Sequence, residues 1–466
     1  MTATSADSPE ELRVGSMREL LCTAVPLMVS SGTQALMNAA DRAVLAGWSA
    51  DALAAVSPAS MLYWTCICIP LGVVLYANTF IAQYDGAGRH EGMMAALWQA
   101  AWIALLAGVL LPILIPVSHF VLIGFGQQPE IAELQSIYFN TLCGGSSLVL
   151  LSSALSCYFA GRRRTRLVMT VGFVSVGMNF FLDWLLVFGW GVIPPLGIRG
   201  AALATLCARF CEILIYGLLI AKESRRHGFP LLEHCRPTAD YLLKYLRFGL
   251  PSGMHFFVDY SGFAAFLLMI GSVGGNALGA TNLAFSVNGL IFVPLLGFGT
   301  AVQTIVGHHL GAGDHLAARR TTRHAVVTGT VWTGVTGALL VLLPTVVLRP
   351  FFLLADETAE MVALNAEAGV LLRFVAVYSV FDALAVVFAS ALRGAGDTLF
   401  PMLLTLFSSW CIMVLPVWLM LQWTTPSLQQ MWLAPTAGII VAGILMWLRF
   451  RSGKWLQFRI TNEVHS

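Results

Sequence analysis

Asp41, Asp183, Asp259 and Asp382 each lie inside a long apolar stretch of the chain. A carboxylate at bilayer depth costs roughly 2.5–3.5 kcal/mol on insertion scales, so an acid held there either works or is neutralised by a partner. Asp41 stands seven residues before Trp48, where its stretch ends, and Asp183 six residues before Gly189. Thr205 stands five residues beyond Gly200, where the chain re-enters an apolar run. At 1.5 Å of rise per helical residue, all three sit about 7–11 Å inside the same boundary. Asn179 precedes Asp183 by one helical turn and shares its face. Two carboxylates, an amide and a hydroxyl can therefore converge at one level. Hard cations are held by several oxygens of this kind. A carboxylate pair serves equally as a proton relay, because two neighbouring acids do not both ionise cheaply. In the second half, Asp259 lies in HFFVDYSGF and Asp382 in YSVFDALAVV, with Tyr378 one turn from Asp382. A phenol can ligate a cation or hold a carboxylate. These three read as a second, deeper group lining a cavity.

The elements that must position these groups are membrane spans. The chain has 466 residues, 58% hydrophobic and 11% charged, too apolar for a soluble domain. Apolar runs of 18 or more residues recur from Leu20 to Leu448, which predicts an all-α integral membrane protein. Twelve spans are expected, near 19–48, 57–83, 93–117, 131–160, 167–189, 200–221, 241–271, 279–307, 322–348, 360–393, 398–421 and 429–449. The first is too long for a cleaved signal peptide. Of 26 Lys and Arg, 21 fall in one alternating set of connections and two in the other. The excess marks the cytoplasmic side, so both termini are expected there. The chain also repeats. Pro26 corresponds to Pro251 and Gly86-Ala87-Gly88 to Gly311-Ala312-Gly313, both at an offset of 225, while YFAGRRRTRL corresponds to ALRGAGDTLF at 233. A unit of six spans is even in number, so the two copies are parallel repeats about an axis along the membrane normal. The expected organisation is a tail (1–18), a first lobe (19–221), a polar linker (222–240), a second lobe (241–451) and a second tail (452–466).

Other charges read as structural. Arg209 and Glu212 form a self-neutralising i,i+3 pair. Arg42 and Arg373 are expected to snorkel outward, and Arg162–Arg164 to act as a topology signal. His308, His309, His315 and His324 read as a solvated loop cluster, and Cys66 and Cys68 as small buried hydrophobes. No disulfide framework or metal motif is expected. Phosphate-cradle and hydrolase motifs are lacking, so no ATPase, no enzyme and no nucleic-acid partner is expected. Pro26 removes a backbone hydrogen bond inside the first span and permits a kink; we read it as a hinge.

The segment AVPLMVSSGTQALMNAADRAVLAGWSADALAAVS, the GAGR and LGAGD turns and LRGAGDTLFP resemble the multidrug and toxic compound extrusion (MATE) family, in its NorM-like branch, across nearly the whole chain. The resemblance implies two six-helix lobes in a V around a central cavity. It implies antiport of amphipathic, often cationic, compounds against Na⁺ or H⁺, with no other cofactor. It places Asp41, Asn179, Asp183 and Thr205 in a first-lobe cation site, adds a backbone oxygen at Ala201, and places Asp259, Tyr378 and Asp382 in the second lobe. The chain departs from the pattern in having Asp259 where a glutamate is usual, and Arg42 after the first acid. A monomer in the bacterial inner membrane is the expectation. A flippase for lipid-linked intermediates and a non-transporting receptor are the rival readings; acids in the cavity speak against the first, and paired acids in a sixfold repeat against the second.

Overall fold

Inside a bilayer the backbone must satisfy its own polar groups, and this chain does so with helices. The computed structural model describes residues 14–116, 118, 129–191, 193–228, 235–352 and 359–458. Most of the expected first tail, the middle of the linker and the end of the second tail lie outside the described residues. Among the described residues, eleven helices are long and apolar enough to cross a membrane: Met17–Ala46, Ala50–Gly86, His90–Leu114, Thr165–Phe188, Ile198–Arg226, Ala239–Val273, Gly275–Gly311, His315–Leu342, Ala363–Ala395, Leu399–Trp423 and Leu428–Arg451. Pro129–Gly144 and Ser146–Gly161, bent by 48° where they meet, make a twelfth as one broken span. In chain order these are spans 1 to 12, the bent pair being span 4. Three further irregularities interrupt or bound the spans. Span 2 breaks at Tyr76. Span 9 stops at Leu342, and a short helix, Pro344–Phe352, follows it. Span 11 is π-helical over Phe407–Val414.

The repeat is visible as reciprocal contacts between its copies. An offset of 225 carries Met28 onto Gly253 and Gly72 onto Gly297. Gly297 lies against the backbone of Leu27 and Met28, and Gly72 against the backbone of Gly253. Further along, Asn78 donates to Thr304 Oγ1 at 2.8 Å and Gln303 donates to Thr79 Oγ1 at 2.6 Å. The same offset exchanges these two hydrogen bonds. Gly86 packs on the carbonyl of His308, and its counterpart Gly311 on the carbonyl of Gln83. Small residues permit such approach of helices in lipid, where packing rather than water exclusion drives association. Spans 2 and 8 are thereby joined near the end of the bundle that carries Arg162–Arg164.

That arginine-rich end is also tied by charge. Arg162 bonds Asp85 at 3.2 Å and also Glu223, which accepts from Arg164 at 3.0 Å. Arg163 donates to the buried Glu19 at 2.6 Å. His309, from the second repeat, places Nε2 3.4 Å from Glu19, and His308 places its own 3.6 Å from Asp85. Two expectations are corrected here. Arg162–Arg164 are ion-pair partners and not only a topology signal. His308 and His309 are packed between the repeats and not solvated, because the Gly-Ala-Gly turns bring span 8 against span 2. In the second repeat Arg449 bonds Asp397 at 2.7 Å. Asp397 corresponds to Arg164 at the 233 offset, and Arg449 lies 226 beyond Glu223, so an equivalent pair recurs with its polarity reversed.

A methyl group at Gly311 would overlap the carbonyl oxygen of Gln83, whereas one at Gly334 meets nothing within 4 Å. Gly311→Ala is expected to lower the melting midpoint in detergent, at a cost of about 1–3 kcal/mol. Gly334→Ala should leave it unchanged or raise it. An unaltered midpoint for Gly311→Ala would refute the close contact.

Candidate functional site

Spans 1, 5 and 6 bring four polar side chains together inside the first repeat. Span 5 approaches span 1 through Gly172, whose missing side chain leaves room for Thr33. Two turns beyond, Asn179 and Asp183 are fully buried, and Asp41 is 4% exposed. Thr205 Oγ1 donates to Asp41 Oδ2 at 3.3 Å and accepts from Asn179 Nδ2 at 3.4 Å. Asp41 and Asp183 act on each other electrostatically within this cluster. Among the described residues, four buried acceptors have no hydrogen-bond donor: Asp41 Oδ1, Asn179 Oδ1 and both oxygens of Asp183. Such a cluster is suited to a shared proton or to a hard cation. Ala201, one turn before Thr205 on span 6, is fully buried.

Arg209 sits one turn beyond Thr205. It donates to both Glu212 oxygens, at 3.0 and 3.1 Å, and also to Gln34 of span 1. Gln34 Nε2 donates to Asn38 at 3.2 Å. The pairing of Arg209 with Glu212 is therefore present, and Gln34 extends it across two spans. Gln34, Asn38 and Asp41 follow an i, i+4, i+7 pattern on one helix face. That pattern is present in the sequence itself, at Gln34 and Asn38.

A cavity of about 280 Å³ opens beside this cluster. Asp41 and Arg42 line it with Ser60 and Trp64 of span 2, Tyr138 of span 4 and Tyr260 of span 7. Arg42 is exposed and faces this cavity.

A family model, MatE, matches residues 26–185 and 251–419. The chain belongs to the MATE family. Its relatives include the probable multidrug resistance protein NorM of Thermotoga maritima, 28% identical over 94% of this chain and 93% of that one. The multidrug resistance protein NorM of Vibrio cholerae is 28% identical over 94% of this chain and 95% of its own length. A solved structure, described as the outward-facing conformation of a multidrug resistance MATE family transporter, superposes with a TM-score of 0.84 at 21% identity. It covers 96% of this chain and 97% of that one. The fold is thus the MATE fold, with two parallel six-helix repeats.

The second repeat of this MATE protein does not duplicate the polar cluster. The 225 offset carries Asp41 onto Phe266, which packs edge-on against Trp432. Asp259 is exposed and Asp382 partly exposed. The two acids interact electrostatically with each other, and Asp382 with the buried Tyr378. Neither acid lines the cavity beside Asp41, although Tyr260, next to Asp259, does. The charge that reaches Asp259 comes from Arg393. Arg393 also acts on His255, one turn from Asp259, and its backbone carbonyl accepts from Tyr76 at 3.0 Å. In the sequence Arg393 falls in the basic set that marks the cytoplasmic side. The signal that could have found His255 is its i,i+4 spacing from Asp259. Arg373 is exposed on span 10. Pro26 is buried within span 1, beside the Leu27 backbone on which Gly297 packs.

Asp183→Asn would supply amide hydrogens where only acceptors meet. Near neutral pH the variant is expected to melt above the parent in detergent, by about 1–3 kcal/mol of unfolding free energy. A lower midpoint would contradict the reading of Asp41 and Asp183 as an under-satisfied pair.

Proposed function

We propose that this MATE protein is an ion-coupled antiporter that exports small amphipathic compounds by alternating access. The observation that carries the proposal is the position of Asp41. It belongs at once to a buried cluster of donor-poor oxygens and to the lining of a cavity beside it. Na⁺ or H⁺ arriving at Asp41, Asn179, Asp183 and Thr205, with the Ala201 backbone nearby, would neutralise the cluster and change the cavity wall that a substrate meets. Two ligands whose occupancies oppose each other at one site are coupled by necessity. The names of the NorM relatives support multidrug efflux as the task.

The arginine-rich end is the cytoplasmic one by the positive-inside rule, so both termini are cytoplasmic and the protein resides in the bacterial inner membrane as a monomer. Lobes 19–221 and 241–451 rock about their joined ends on the linker 222–240, and no covalent chemistry is involved. Asp259, Tyr378 and Asp382, balanced by Arg393, hold a second cation or a cationic substrate group in the second lobe. Pro26 is the hinge of span 1. Its ring leaves one carbonyl of the preceding turn unbonded, at a level where span 1 rests on span 8.

Proteoliposomes preloaded with buffer and given an imposed Na⁺ or pH gradient test the proposal by uptake of a fluorescent organic cation. Gradient-dependent uptake is expected, and Asp41→Asn should reduce its rate by about tenfold or more. Pro26→Ala should slow uptake without changing which ion drives it. Uptake indifferent to both gradients would sink the antiport reading. Full ion-dependent activity in Asp41→Asn would remove that residue from the site.

A further inference from the structure

The backbone and the side chain of Arg393 serve different neighbours. Its backbone lies on the surface between the repeats. The Arg393 carbonyl accepts from Tyr76 at 3.0 Å, and the next carbonyl, that of Gly394, accepts from Gln83 Nε2 at 2.8 Å. Both donors stand in span 2, Tyr76 at its break. The side chain turns to the second-lobe acids. Nη2 donates to Ser390 Oγ at 3.3 Å, the buried Nε has no acceptor among the described residues, and the guanidinium charge acts on Asp259. Asp259 in turn acts on Asp382. This cation belongs to the second repeat alone, since the 233 offset carries Arg393 back to Ala160. The 225 offset carries Asp259 back to Gln34, which accepts from Arg209. The same position of spans 1 and 7 thus meets a guanidinium in both copies, and only in the second is it an acid.

We propose that Arg393 is a tethered competitor for the cation of the second lobe, and the residue through which that site acts on the contact between the repeats. With the acids empty, the guanidinium is the counter-charge of Asp259. Attraction between unit charges reaches across several ångströms where water is displaced. A cation held at Asp259 and Asp382 takes over that role, and the pull of Asp259 on Arg393 weakens. The arginine is then released at the turn where span 10 is bonded to span 2. Two cations that oppose each other at one acid are linked, so each lowers the affinity of the other. Arg393 touches no transported ion in this scheme; it is a positioning residue that acts through Asp259. The inference deepens the second-lobe site and rests on the reading of Asp259 and Asp382 as a cation site.

Tetraphenylphosphonium, a monovalent organic cation, is the probe. Its equilibrium binding to purified protein and its initial uptake into proteoliposomes are measured for the parent and for single and double variants. Arg393→Gln is expected to bind the probe about tenfold more tightly, with a lower KM and a lower maximal rate of uptake. Arg393→Met, a second neutral variant, should do the same, and Arg393→Lys should fall between these and the parent. Asp259→Asn should weaken binding, and adding Arg393→Gln to it should change nothing more, because the arginine acts through that acid. Unaltered or weaker binding in both neutral variants, beside weakened binding in Asp259→Asn, would overturn the proposal and leave the cation site standing. Equal tightening with and without Asp259 would overturn it too. Tighter binding at an undiminished maximal rate would sever the site from the contact between the repeats. Binding indifferent to Asp259→Asn would defeat the cation site itself, and the proposal with it.

Discussion

Two carboxylates meeting inside a helical bundle, without a cation of the protein's own between them, set the terms for the rest of this molecule. Burying an acid in a low-dielectric interior is costly unless it is neutralised or hydrogen-bonded. Asp41 and Asp183 receive one donor between them, from Thr205, which Asn179 in turn supplies. The guanidinium of Arg209, one turn beyond Thr205, is committed to Glu212 and Gln34. Spans 1, 5 and 6 keep those oxygens together, and Asp41 also lines the adjoining cavity.

The two repeats share a frame and differ in chemistry. Backbone contacts at Gly72 and Gly297, and at Gly86 and Gly311, exchange under the same offset, so the joining surfaces are common property of both copies. The interiors are not. Where the first repeat has Asp41, the second has Phe266 in an aromatic cluster with Phe285 and Trp432. The ion pair between Arg164 and Glu223 recurs as Asp397 with Arg449. Reversing the polarity of a pair preserves the contact while removing any requirement that the local potential be the same in both halves.

The first-repeat cluster was readable because its members can be measured from one boundary. Asp41, Asp183 and Thr205 each lie a countable number of residues from a span end, and helical rise converts counts to depth. The span count and the repeat were readable for a similar reason, since hydropathy and motif spacing are local. What escaped depends on contacts between distant segments. His308 and His309 follow a span and precede a Gly-Ala-Gly turn, which reads as loop; only the second copy of that turn, folded against it, makes them interior. Arg393 lies near the basic end of its span, so its charge is absorbed into the topology rule, although Asp259 of another span lies within its field. Arg42 follows Asp41, and nothing local tells which wall of a groove it will face.

The surface that joins spans 2 and 8 is largely bare. Glycines meet carbonyl oxygens there, and Asn78 with Thr304, Thr79 with Gln303 and Asp85 with His308 reach across with side chains. Knobs lodged in holes must rotate out before two helices part, and each such rotation is a barrier. Glycine against a carbonyl has no knob to withdraw. The plates can slide or lift apart in one motion, opposed chiefly by two amide–hydroxyl bonds and by the rim of ion pairs, all of which water can replace as it enters. A seal of this construction is tight when shut and yet has little friction.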